Sequence, residues 1–168
     1  MKDDLAVQFG VHVPHWMDVD KDKATYHRIY AATAKLESTP DKQGNRNYMV
    51  MLTSGNSDGG KRATLAFAAA CAALSLDLDT HVFLIGDGSH WAYEGSSDPV
   101  SEPGFPPLSE LMDEFIDLGG EIYICATCER VCSEPDNNGL QKKRRPEIQP
   151  QGLASVLSYV VGGTSITF

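Results

Sequence analysis

Three of the four cysteines in this sequence lie close together, at Cys125, Cys128 and Cys132, with the spacing C-x2-C-x3-C. Such a cluster suits metal binding, dithiol redox exchange or nucleophilic sulfur chemistry by a single thiol. A tetrahedral metal site needs four ligands, and no fourth ligand follows nearby. The spacing also reverses the C-x3-C-x2-C order of iron–sulfur radical enzymes. We therefore expect no metal, and the two thiol chemistries remain open.

The residues around Cys125 predict a position at the edge of a sheet. Glu121–Ile124 has the β-branched and aromatic character of a short strand, and Gly119-Gly120 precedes it. If Cys125 ends this strand and Ala126 begins a helix, the thiol lies where open α/β sheets bind ligands. Unpaired N–H groups at a helix start favour the thiolate. Cys125 and Cys128 are therefore the candidate catalytic thiols.

Strands and helices alternate through the main part of the chain. Apolar runs predict strands at 48–53, 81–85, 121–124 and 164–168, with helices at 61–76, 108–116 and 153–160 between them. This order predicts an α/β fold, with a parallel sheet that helices cover on both faces. Residues 133–150 are interpreted as a polar insertion carrying the basic run 142–145.

The first 46 residues are interpreted as an N-terminal extension ahead of a domain at 47–168. Alternating apolar residues from Leu5 to Val13 predict a strand, and the spacing from Asp22 to Leu36 predicts an amphipathic helix. Ser38–Arg46 is a polar linker. The histidines of this extension are interpreted as ordinary half-buried or solvated residues and not as metal ligands.

Composition excludes several classes of protein. The 168 residues include 23 acidic and 14 basic side chains, a net charge of −9. Nucleic-acid binders need a basic face, so we expect no nucleic-acid partner. The start, Met1–Asp4, lacks the apolar core of a signal peptide, and the apolar run Leu65–Leu74 is too short to span a bilayer. We expect a cytoplasmic protein with reduced thiols and no membrane contact.

A second motif, from Gly55 to Lys61, matches the G-x4-G-K spacing of a phosphate-binding loop. Arg62 stands where a hydroxyl would hold magnesium, and Asp58 would place a carboxylate inside the phosphate cradle. We therefore expect a tight strand-to-helix turn, without a bound nucleotide or other cofactor.

From Tyr48 to its end, the sequence resembles the DsrE/DsrF-like (TusD-like) sulfur-relay family. The resemblance rests on segments that follow the strands and open the helices. They are Ser54–Asp58, Arg62-Ala63 at the start of an alanine-rich helix, Val82–Gly88, Gly119-Gly120 before Ile122–Cys125, and the closing stretch 153–168.

The resemblance implies a sulfurtransferase-type protein that holds a persulfide on Cys125 and passes it to an acceptor thiol. It also implies a doubly wound, mainly parallel sheet of about five strands with helices on both faces. The resemblance further implies a homo-oligomer, a trimer or hexamer, and a carrier protein as sulfur donor or acceptor. Asp58, His90, Trp91 and Arg130 are the candidate binding residues, Arg130 as a positive charge near the thiol. The alternative is a non-enzymatic redox-sensing module that uses Cys125 and Cys128 as a pair.

Overall fold

We describe residues 46–131 and 142–168 of a computed structural model; they lie in a compact unit that spans Asn45–Phe168. The predicted strand and helix of the N-terminal extension fall outside the described residues. So do Cys132 and most of the predicted polar insertion. Among the described residues, no helix has both the length and the apolar character needed to cross a membrane.

Five strands, four α-helices and two 3-10 helices make up the described part. They follow in the order β1 (Asn47–Leu52), a 3-10 turn (Asn56–Asp58), α1 (Lys61–Ser75), β2 (Asp79–Leu84), a 3-10 segment (Gly86–Ala92), α2 (Leu108–Asp117), β3 (Glu121–Cys125), α3 (Ala126–Val131), β4 (Gln149–Gln151), α4 (Leu153–Val160) and β5 (Thr164–Thr167).

The five strands form one sheet in the order β4-β3-β2-β1-β5, and every pair in it is parallel. The register aligns Val50 with Val82 and Val82 with Ile122 across the three central strands. These strands are mostly buried, which explains why their sequences are continuous apolar runs. The predicted α/β class with a parallel sheet of five strands is confirmed.

Alternate residues of each strand point to opposite faces of the sheet, and helices cover both faces. On the face of α1 and α2, the strand side chains pack with Phe67 and Phe115, whose rings meet edge to face at 6.1 Å. On the other face, Phe83 and Cys125 pack with Val156 of α4. The site described next lies on this second face.

The strand β4 corrects the prediction that residues 133–150 are wholly a polar insertion. Gln149–Gln151 pairs with β3 in parallel, with Cys125 opposite Gln151. The segment Gln-Pro-Gln carries no apolar pattern, so its extended form comes from pairing with β3. Pro150, which has no N–H, is tolerated because β4 is an edge strand.

Candidate functional site

Cys125 is the last residue of β3, and α3 begins directly after it at Ala126. The side chain points to the face covered by α4, where it belongs to an apolar cluster with Phe83 and Val156. Cys125 is only 4% exposed. The structure thus has the strand-to-helix junction that the sequence predicts around this thiol. The apolar cluster shields the thiol from solvent.

The surroundings of Cys125 lower the pKa of its thiol. Burial of the sulfur opposes this, since it disfavours the charged form. Hydrogen bonds from the backbone N–H and the side chain of Cys128, and from the backbone N–H of Thr127, stabilise the thiolate and, together with Arg130, outweigh burial. The positive charge of Arg130 acts in the same direction. Cys125 therefore has the electrostatic character of a reactive thiol.

Cys128 lies about one turn further along α3, and it is partly exposed. Its Sγ accepts a hydrogen bond from the backbone N–H of Gly86 at 3.3 Å. Gly86 has a φ of +59°, a backbone conformation that L side chains rarely adopt. The segment after β2 therefore positions Cys128, and Cys128 in turn donates hydrogen bonds to the sulfur of Cys125. Gly86 lies 42 residues from Cys128 in the chain, so no local sequence signal could have revealed this contact.

The segment after β2 also packs tightly on the end of β1. A Cβ atom added to Gly88 would lie 2.0 Å from the carbonyl oxygen of Leu52, so only glycine fits there. The indole Nε1 of Trp91 donates to the carbonyl oxygen of Ser54 at 2.8 Å. These contacts connect the ends of β1 and β2 at the edge of the sheet where Cys125 ends β3.

Of the two predicted binding residues in this segment, Trp91 is completely buried in the core and His90 is partly buried. Their rings meet edge to face at 4.8 Å. The indole of Trp91 therefore serves the packing of the domain, and it presents no surface to a ligand of this unit.

Asp58 acts at the start of α1. Its carboxylate accepts the backbone N–H of Gly60 at 3.1 Å and that of Arg62 at 3.2 Å. The Arg62 guanidinium, in turn, donates to the Ser54 hydroxyl at 3.2 Å. A carboxylate thus occupies N–H groups that a phosphate-binding loop would offer to phosphate. The geometry agrees with the tight turn expected from the sequence.

Three residues of the basic run at 142–145 form ion pairs with acidic residues elsewhere in the domain. Lys143 pairs with Glu94 at 2.7 Å, Arg144 pairs with Glu129 of α3 at 2.6 Å, and Arg145 pairs with Asp113. Backbone pairing between Arg144 and Tyr93 adds to this. The run therefore connects α3, the helix that carries Cys128, to the segment after β2. Within residues 46–131 and 142–168, no group of three or more His, Cys, Asp or Glu side chains is arranged to hold a metal ion.

Comparisons with known proteins agree with this architecture. The model of the DsrE/DsrF-like family matches residues 46–159. The uncharacterized protein MJ0760 of Methanocaldococcus jannaschii is 30% identical over 106 residues, which are 63% of this chain and 38% of that protein. The chain thus spans well under half the length of that relative. The crystal structure of the E. coli protein ychN superposes with a TM-score of 0.53 at 16% identity, covering 73% of this chain and 99% of ychN. This similarity shows a shared fold.

Proposed function

Because the chain belongs to the DsrE/DsrF-like family, we propose that it carries sulfur as a persulfide on Cys125 and passes it to an acceptor thiol. Sulfur relay is the function that membership of this family suggests. The observation that carries the proposal is the thiolate environment of Cys125 at the end of β3. The N–H groups of Thr127 and Cys128 and the charge of Arg130 all favour the ionised sulfur.

In the loading step, the Cys125 thiolate attacks the outer sulfur of a donor persulfide, R–S–SH. A new S–S bond forms on Cys125, the donor's S–S bond breaks, and the donor leaves as the thiolate R–S⁻. No external oxidant or reductant is needed, because the transferred sulfur keeps its oxidation state. The N–H groups that stabilise the Cys125 thiolate lower the pKa of this thiol and so raise the fraction of it that is ionised.

In the transfer step, an acceptor thiolate attacks the outer sulfur of the Cys125 persulfide, and Cys125 leaves as a thiolate. A thiol with a lowered pKa is a better leaving group, so the same N–H groups assist this step as well. The same N–H groups thus stabilise the Cys125 thiolate as the nucleophile during loading and as the leaving group during transfer.

The small exposed fraction of Cys125, 4%, restricts its access. We propose that the donor or acceptor is a carrier protein that presents its sulfur on a segment narrow enough to reach this thiol. The basic residues of the run 142–145 that pair with Glu94, Glu129 and Asp113 are already engaged within the domain. This favours a docking surface other than that run.

We also propose a homo-oligomer, assembled in part through α4. Leu153, Leu157 and Val161 recur at helical spacing, and they are 50%, 64% and 73% exposed. Ile166 on the edge strand β5 is 37% exposed beside them in the chain. An exposed aliphatic stripe of this kind is typical of a surface that another subunit covers.

A second candidate function is a redox module that uses Cys125 and Cys128 as a pair. The observation in its favour is the hydrogen bond between the two side chains, which brings their sulfurs into contact. Oxidation by a disulfide such as oxidised glutathione would join them in a bond, with two hydrogens passing to the oxidant.

Intact mass spectrometry separates the two functions. The reduced protein is incubated anaerobically with a low-molecular-weight persulfide, and a parallel sample is incubated with oxidised glutathione. A persulfide carrier gains the mass of one sulfur in the first sample. A redox module loses two hydrogens in the second sample and gains no sulfur in the first, and that result would overturn the persulfide proposal.

A further inference from the structure

A cleft of about 90 Å³ opens between the sheet and α4, on the face that also carries Cys125. The rings of His81, Tyr123 and Tyr159 form part of its lining, and Met49 and Val156 add apolar surface. Its size is that of about three water molecules, enough for the head group of a small organic ligand. The thiol chemistry proposed for Cys125 uses none of these side chains.

The aromatic rings of the cleft are arranged around His81. The His81 ring stacks on Tyr159 with centroids 4.1 Å apart and planes inclined by 15°. The Tyr123 ring meets His81 edge to face at 5.2 Å and 80°. Tyr159 is held in turn by its hydroxyl, which donates to the backbone oxygen of Asp79 at 2.5 Å. The three rings are therefore positioned by contacts from β2, β3 and α4.

Two carboxylates border this group of rings. The Nε2 atom of His81 lies 3.6 Å from Asp79 Oδ1 and 3.3 Å from Glu121 Oε2. The Tyr123 hydroxyl donates to the same carboxylate of Glu121. The carboxylate side chains are 62% and 55% exposed, so they meet the solvent beside the cleft.

The charge of this region is negative near neutral pH. Burial lowers the pKa of His81, and the attraction of Asp79 and Glu121 opposes this only in part, so the imidazole is neutral at pH 7. Across residues 46–131 and 142–168, no lysine or arginine forms an ion pair with either carboxylate. Within that described part of the chain, two negative charges thus border an aromatic cleft, and neither has a lysine or arginine as an ion-pair partner.

We propose that this cleft binds a small organic cation, the ammonium or guanidinium group of a ligand. Aromatic rings attract such a cation through their quadrupoles, and Asp79 and Glu121 supply the opposite charge at the border of the cleft. Met49 and Val156 suit the hydrocarbon stem that carries the cationic group. An anion of the same size is repelled by the two carboxylates. This site is separate from the function proposed for Cys125, and neither proposal requires the other.

The direct test is NMR of the full-length protein, observing the His81 imidazole and the Tyr123 and Tyr159 rings. The probe is n-butylammonium, with n-butanol and butyrate as uncharged and anionic controls of similar size. We expect saturable shifts at the three rings with n-butylammonium, at concentrations on the order of 1 mM or higher. The pKa of His81 should fall further in the complex, because a bound cation opposes its protonation. Equal shifts with n-butanol, or no shifts with n-butylammonium, would overturn the proposal.

Two variants test the role of the carboxylates. Asp79→Asn and Glu121→Gln replace exposed side chains, and each should weaken n-butylammonium binding by about threefold to fivefold. The matched control is Asp117→Asn, which removes an exposed carboxylate at the end of α2, on the other side of the sheet. Unchanged affinity in both cleft variants, or equal weakening in the control, would contradict the assignment.

Two kinds of ligand carry such a cation: a free amine, and a partner protein with an accessible lysine side chain. A short peptide with one central lysine distinguishes them in the same NMR experiment. Tighter binding of the peptide than of n-butylammonium identifies a protein ligand, and weaker binding identifies a free amine. Failure of both probes to shift the three rings would refute the site itself.

Discussion

The backbone N–H of Gly86 donates to Cys128 Sγ across 3.3 Å, joining the segment after β2 to the helix that follows β3. The backbone N–H and the side chain of Cys128 also form hydrogen bonds with the Cys125 sulfur. The position of the reactive thiol therefore depends on the packing of a neighbouring loop as well as on its own strand. This relationship makes the loop a target for testing the site.

The close approach of Gly88 to β1 should be essential for the fold near the thiols. Gly88→Ala places a Cβ atom 2.0 Å from the Leu52 carbonyl oxygen, so the backbone must shift. We expect a loss of about 2 kcal/mol or more in the free energy of unfolding, measured by urea denaturation. The control Gly152→Ala meets no atom within 4 Å and should change stability by less than about 0.5 kcal/mol. Equal stability of the two variants would show that this contact is unimportant.

Cysteine alkylation should separate Cys125 from Cys71. The pKa of Cys125 is lowered from 9.0, whereas burial, together with the charge of Glu114, raises the pKa of Cys71 to about 12. Iodoacetamide should therefore modify Cys125 at pH 7 and leave Cys71 unmodified, as measured by peptide mass spectrometry. A bulky maleimide should react more slowly with Cys125 than a small maleimide does, since this residue is 4% exposed. Labelling of Cys71 as fast as Cys125 would contradict this account of the two thiols.

Arg130 should contribute to the thiolate character of Cys125 through its charge. Arg130→Gln removes that charge, and we expect the alkylation rate of Cys125 at pH 7 to fall about twofold to threefold, since the arginine is exposed. Arg130→Lys should retain most of the rate. Lys61→Gln, which removes an exposed cation from the helix on the opposite face, is the control. The interpretation fails if Arg130→Lys slows the reaction as much as Arg130→Gln does.

Much of the fold follows from local patterns in the sequence. The apolar runs of β1 and β2 are buried strands, and the predicted helix at 61–76 corresponds to Lys61–Ser75. The position of Cys125 at a strand end was predicted in the same way, because Gly119-Gly120 and the run before the cysteine define β3. These features depend on residues close together in the chain.

Other features depend on contacts between distant segments, and the sequence does not reveal them. β4 has no strand pattern of its own and forms by pairing with β3. His81, Tyr123 and Tyr159 come from three elements, and nothing in their local sequence indicates that their rings meet. The burial of Trp91 follows from its contact with the loop after β1. The Cys128–Gly86 contact is of the same kind.

The exposed stripe on α4 should be part of a subunit interface. We expect light scattering to give the mass of a trimer or hexamer at micromolar concentration. Leu157→Glu places a charge at a position that is 64% exposed, so it should reduce the assembly to smaller species while the circular dichroism is retained. Leu65→Glu, at a position on α1 that is 39% exposed, is the control. A monomeric parent protein, or an unchanged assembly in Leu157→Glu, would refute this prediction.

The central claim, that Cys125 accepts the sulfur, is tested most directly by mapping which cysteine carries it. The parent protein and the variants Cys125→Ser, Cys128→Ser and Cys71→Ala are incubated with the same low-molecular-weight persulfide. Trapped persulfides are then located by peptide mass spectrometry. We predict that the parent and Cys71→Ala carry sulfur on Cys125, that Cys125→Ser carries none, and that Cys128→Ser still loads. Loading of Cys125→Ser at the rate of the parent protein would contradict the claim.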